Sequence, residues 1–110
     1  MPDYFRRIDS AARFDATKAV KADVFASERL FVGLNCFAAG QAQAIHAHAA
    51  ADKFYLVVSG KARMTIGETT TIAEAGTVAW APAGVPHGVD EALEATVMLV
   101  AMAPPPGRSG

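Results

Sequence analysis

From Lys21 to Met102 the chain is written in short apolar and β-branched runs separated by turn residues, and this rhythm limits the fold more than any other feature. Runs of that length and spacing specify an all-β sandwich or barrel. Strands are expected over 20–26, 30–37, 43–48, 53–58, 61–66, 70–73, 77–81 and 94–102. Ser59-Gly60, Gly67-Glu68 and Ala75-Gly76 punctuate the middle of the series as hairpin turns, each with a glycine where positive φ is needed.

One stretch argues against its neighbours. Residues 38–51 are rich in alanine and glutamine, and propensity alone would write them as a helix. His46 and His48 point about 200° apart on a helix but project from one face of a strand. The extended reading is preferred because Gly40 would break such a helix early, because Phe54, Tyr55, Leu56, Val57 and Val58 are strongly β-forming, and because hairpins follow. His46 and His48 are then a chelating pair. The third and last histidine of the chain, His87, lies in a segment punctuated by proline and glycine, A-P-A-G-V-P-H-G. The three imidazoles form a candidate metal site.

At 110 residues the chain suits one domain, and 52% hydrophobic against 19% charged residues mark it as globular. Ten basic and eleven acidic side chains leave a net charge of -1, so nothing recommends nucleic acid or a membrane surface as partner. No apolar run approaches the roughly 18 residues of a membrane span, and the N-terminus lacks the apolar core of a secretory signal. The expectation is a soluble, cytoplasmic protein. The single cysteine, Cys36, excludes an internal disulfide and reads as a buried packing residue. Residues 1–18 are expected to form an arm or short helix over the body, 19–103 the barrel, and the proline-rich 104–110 a flexible tail.

The glycines, histidines and prolines fall on a known pattern. Gly40, His46, His48 and Gly60 match G-x5-H-x-H-x4-E-x6-G, and Gly76, Pro82, Gly84 and His87 match G-x5-P-x-G-x2-H-x3-N. These two halves, 15 residues apart, are the signature of the cupins, which the chain resembles from 20 to 102. The resemblance implies a single-domain jelly-roll β-barrel, with His46, His48 and His87 holding a divalent transition metal (iron, manganese, nickel, zinc or copper). It also implies a small-molecule ligand or substrate and pairing as a homodimer.

Two positions depart from the pattern. Glu91 replaces an asparagine that is not a ligand in the family, whereas Lys53 stands where the fourth ligand, a glutamate, is found. Three histidines alone hold the metal in some dioxygenases of the superfamily. A protonated Lys53 beside a dication is costly unless an anion balances it, the lysine loses its proton, or the ammonium turns to Asp52 or solvent. Asp52 could become a ligand only through a bulge.

Strand alternation puts Lys53, Tyr55 and Val57 on one face, and Lys53 and Tyr55 are the candidate catalytic residues. Tyr55 either holds a substrate oxygen or packs, and Trp80 either lines the barrel or serves an interface. Phe31, Phe37, Met64, Met98 and Met102 read as core, while Gln41, Gln43 and Arg63 read as surface. Three functions follow: a metalloenzyme acting on a small polar or anionic molecule, with dioxygenase chemistry one form of it; a non-catalytic metabolite-binding or sensor module; and, with least support, a structural dimer.

Overall fold

The computed structural model describes residues 3–106. The β-branched and aromatic runs fold into nine strands: β1 Val20–Ala26, β2 Phe31–Phe37, β3 Gln43–His46, β4 Asp52–Ser59, β5 Lys61–Ile66, β6 Thr69–Glu74, β7 Val78–Ala81, β8 His87–Ala92 and β9 Thr96–Ala103. They pair antiparallel in two sheets, ordered β1-β2-β9-β4-β7 and β3-β8-β5-β6. This is an all-β barrel, as the strand rhythm predicts, with the jelly-roll form that the resemblance implies, and the alanine-rich stretch is a strand and loop, not a helix.

The strand rhythm does not reveal β8. Residues 87–92 read as part of a proline- and glycine-punctuated loop, yet β8 lies inside the four-stranded sheet between β3 and β5. Gly88 disguises it. A Cβ at this position would come within 2.8 Å of the Gln43 carbonyl oxygen, so the close approach of β3 requires glycine where a strand usually carries a side chain. β3 in turn ends at His46, so His48 belongs to the following loop.

Alternation divides the buried residues between two cores. Inside the barrel, Phe37, Tyr55, Val57, Met98 and Val100 of the larger sheet meet Ala62, Met64, Ala73, Val89 and Ala92 of the smaller one. Met102 is also buried, whereas Phe31 is half-buried in the cavity wall. On the outer face of the larger sheet, Ala22, Leu34, Cys36 and Val97 pack beneath Ile8, Ala11 and Ala12. The helix in that arm, α1 Ile8–Ala11, is a single turn with no side-chain cap, so sheet contacts and not intrinsic helicity hold it. Cys36 is wholly buried, as a packing residue would be.

Trp80 resolves outward. It is 56% exposed on the outer face of β7, opposite Phe54 of β4, and does not line the barrel. Arg63 is solvent-facing beside Glu91, with 3.4 Å between their charged atoms. Among the described residues no helix is long and apolar enough to cross a membrane. Residues 1–2 of the expected arm and 107–110 of the expected tail lie outside the described residues.

The β4–β5 turn depends on Gly60, where φ is 89° and a Cβ would collide with the Ala95 carbonyl and with Thr96. Gly60→Ala therefore suffers both a left-handed backbone and a steric clash. Urea denaturation is expected to show a loss of roughly 2 kcal/mol or more, larger than for alanine at the open, exposed Gly84.

Candidate metal centre

The register of β3 against β8 makes His46 and His87 direct cross-strand partners. His48 follows two residues after His46 and folds back toward them. Ring centroids are 4.4 Å apart for His46 and His87, 4.9 Å for His46 and His48, and 5.6 Å for His48 and His87. One nitrogen from each residue lies within 4.8 Å of the other two. Three nitrogens around one first-row ion are separated by roughly 3.3 Å, so side-chain rotation that draws any pair together by at most about 1.5 Å closes the set on an ion.

Hydrogen bonds orient two of the rings. His46 Nδ1 lies 2.9 Å from the Ala44 carbonyl oxygen, and His87 Nδ1 lies 2.9 Å from that of Val85. A carbonyl can only accept, so both rings carry their proton on Nδ1 and leave Nε2 as a bare lone pair. Such outer contacts are what a metal-binding imidazole uses to fix its tautomer. His87 Nε2 is fully buried and has no hydrogen-bond partner among the described residues. A buried acceptor without a partner costs about 1–3 kcal/mol, and a metal ion at this point would satisfy it. Burial and then the positive charge of Lys53 lower the His48 pKa; burial lowers that of His87 too, ahead of the His46, Lys53 and His48 charges. Both rings are thus held in the neutral form that ligates.

Lys53 faces inward. It is buried on β4, its Nζ lies 4.8 Å from the Tyr55 ring centroid, and no carboxylate pairs with it among the described residues. Burial, reinforced by the charge of Lys21, pushes its pKa down to about 8. Asp52 does not assist, because it lies on the opposite, exposed face, where its Oδ1 accepts the Ala83 N–H at 2.9 Å and ties the Pro82–Gly84 turn to β4. It neither pairs with the ammonium nor joins the histidines.

Tyr55 is wholly buried, 6.0 Å from the His87 ring between centroids, and burial raises its pKa far above the ordinary value. The neutral hydroxyl donates to Gln43 Oε1 at 2.9 Å. Gln43 reads as a surface residue in the sequence, but it belongs to the cavity wall. Gln41 is half-buried and anchors the arm, donating to the Asp15 carbonyl at 2.7 Å and accepting the Ala38 N–H at 2.8 Å.

A cavity of about 520 Å³ opens over His46 and His48, with Lys53, Gln43, Lys21 and Asn35 in its lining. Sequence reasoning misses Asn35 and Lys21. A signal for Asn35 is present: in F-V-G-L-N-C-F it is the one polar side chain, and alternation from Phe31 and Phe37 puts it on the inner face. Lys21 carries no such signal, because an exposed strand lysine is ordinary.

Comparison with known proteins agrees with this fold. The Cupin_2 family model, described as a cupin domain, matches residues 33–102. An uncharacterised protein of Streptomyces coelicolor, SCO3923, is 40% identical over 82 residues, covering 74% of this chain and 77% of that protein. The crystal structure of TT1209 from Thermus thermophilus is 37% identical with a TM-score of 0.87, covering 93% of this chain and 98% of that one. An RmlC-like cupin from Desulfovibrio desulfuricans is 30% identical with a TM-score of 0.84, covering 96% of this chain and 100% of that one.

The lysine has a measurable cost. Titrating near 8 in the fold and near 10.5 when unfolded, Lys53 binds fewer protons in the native state between those values. Folding therefore becomes more favourable as pH rises through that window, and the full penalty operates below it. In metal-free protein, Lys53→Met is expected to be more stable than wild type by roughly 2 kcal/mol at pH 7, allowing for solvent in the cavity. Denaturant titrations across pH should show the gap closing toward pH 10.5.

Proposed function

Because the chain belongs to the cupin family, we propose that it is a small metalloprotein in which His46, His48 and His87 hold a divalent transition ion and act with it on a small polar or anionic organic molecule. The buried, unpartnered Nε2 of His87 beside two further imidazoles carries this reading. Three neutral nitrogen ligands suit iron, manganese, nickel, zinc or copper and leave coordination positions open. A bound ion would supply Lewis acidity or, as iron, manganese or copper, dioxygen chemistry.

The chain's own residues do the rest. The Nδ1 contacts of His46 and His87 hold their Nε2 atoms free. Lys53, standing where the family's glutamate does, brings a positive charge to the cavity wall and meets the anionic part of the substrate. Tyr55 is a positioning residue, fixing Gln43 in that wall. A lone buried thiol, Cys36, suits the reducing cytoplasm.

Dialysis against each metal followed by elemental analysis should find about one ion per chain in the wild type and less than about a tenth of that in His87→Ala. Bound metal should also raise the melting temperature, reversibly with chelator. Wild-type protein with no stoichiometric ion in any metal would overturn the proposal.

The buried Lys53 favours a second reading, a non-catalytic metabolite-binding or sensor cupin with weak metal affinity. Oxygen consumption or turnover lost on chelation would exclude it.

The protein is further proposed to be a homodimer, joined through the outer face where Trp80, Phe54 and Val78 stand exposed. Sedimentation at micromolar concentration should give twice the chain mass, and Trp80→Lys should shift it toward monomer. An unchanged dimer in that variant would place the interface elsewhere.

A further inference from the structure

Two nine-tenths-buried polar side chains face the cavity without partners. Lys53 is 5% exposed and Asn35 is 6% exposed, and neither makes a side-chain hydrogen bond or ion pair among the described residues. Their polar atoms open only onto the cavity, so burial strips most of the bulk water from them and a ligand that hydrogen-bonds to both would replace it. Among the described residues the only carboxylate in the lining is that of Asp23, exposed at the edge on β1, and Lys21, exposed on the same strand opposite Asn35, adds a second cation. The cavity is thus electropositive even before a metal binds.

The strand register separates the two groups. β9 runs between β2 and β4, with Lys53 opposite Met102 and Asn35 opposite Met98. Four residues along a strand is roughly 13 Å, and β2 and β4 flank β9 about 10 Å apart, so the two backbone positions lie roughly 16 Å from each other. The two side chains together span at most roughly 8 Å, which leaves about 8 Å or more between the polar heads, room for a short carbon chain with a polar group at each end. Phe31, Val100 and Met102 supply an apolar lining between them. An amide can donate and accept, so Asn35 suits a hydroxyl, carbonyl or amide oxygen equally.

We infer that the cavity takes a short-chain organic acid, its carboxylate on Lys53 and a second, uncharged polar group at its far end on Asn35. This rests on the proposed function only for what the histidines do to the bound molecule. Lys53 and Asn35 are therefore specificity determinants that work without the metal.

Three probes of matched length test the assignment by calorimetry at pH 7, with zinc-loaded and chelator-stripped protein. Glutaric monoamide carries both polar ends, glutaramide lacks the carboxylate, and pentanoate lacks the remote polar group. Wild type should bind the monoamide at least about tenfold tighter than either analogue, in both metal states. Lys53→Met should abolish the preference over glutaramide and keep that over pentanoate; Asn35→Leu should do the reverse. Thermal melts verify that both variants are folded. A preference over glutaramide that survives Lys53→Met, or appears only with zinc, would put the carboxylate on the metal and overturn the inference while sparing the metal site. Failure of wild type to bind any probe at millimolar concentration would also overturn it. Retained preferences in a protein that takes up no metal would refute the metalloprotein reading and leave this one standing.

Discussion

The antiparallel pairing of β3 with β8 is the contact on which the site depends. It sets His46 opposite His87, and it is possible only because Gly88 lets the backbone of β3 come close. A larger residue there would push β3 away and separate the imidazoles. Two carbonyls, those of Ala44 and Val85, then hold the Nδ1 protons of the paired rings, so both present Nε2 lone pairs. Backbone geometry thus assembles the donor set without any acidic side chain.

Around that contact the molecule retains unfavourable features that a purely structural barrel would not need. His87 Nε2 lacks a partner, Lys53 lacks a counter-ion, and Asn35 lacks a side-chain hydrogen bond among the described residues, all facing one interior. The His87 nitrogen and the Lys53 ammonium cost stability where they stand, and such groups around one cavity are compatible with the proposed metal and ligand site. The barrel tolerates the cost because Phe37, Tyr55, Val57, Met64, Met98 and Val100 fill its other end. The Tyr55 hydroxyl joins the two regions, packed in the core yet bonded to Gln43 in the cavity wall.

A second core outside the larger sheet explains the N-terminal arm. One turn of helix is not stable alone, but Ile8, Ala11 and Ala12 cover Ala22, Leu34, Cys36 and Val97, which would otherwise face water. Farther along the same sheet Phe54, Val78 and Trp80 have no such cover among the described residues. One sheet therefore has three environments: cavity and core inside, arm and open apolar surface outside.

Most of the strands are legible in the sequence, because strand runs and hairpin glycines are local signals and period-two alternation survives without tertiary information. The same alternation correctly sets Lys53, Tyr55 and Val57 on one face, and the glycine, proline and histidine spacing identifies the barrel. What escapes is decided by contacts distant in the chain. β8 is hidden because Gly88 and the preceding prolines read as a loop, and only the approach of β3 explains the glycine. The inward direction of the Lys53 ammonium, the capping of Ala83 by Asp52 and the membership of Asn35 and Lys21 in one cavity all depend on strands brought together by sheet closure. Sequence alone determined the kind of fold and which histidines could converge, since periodicity and spacing are properties of the chain. Only tertiary structure decided which polar groups are buried without partners, since burial belongs to the packed whole.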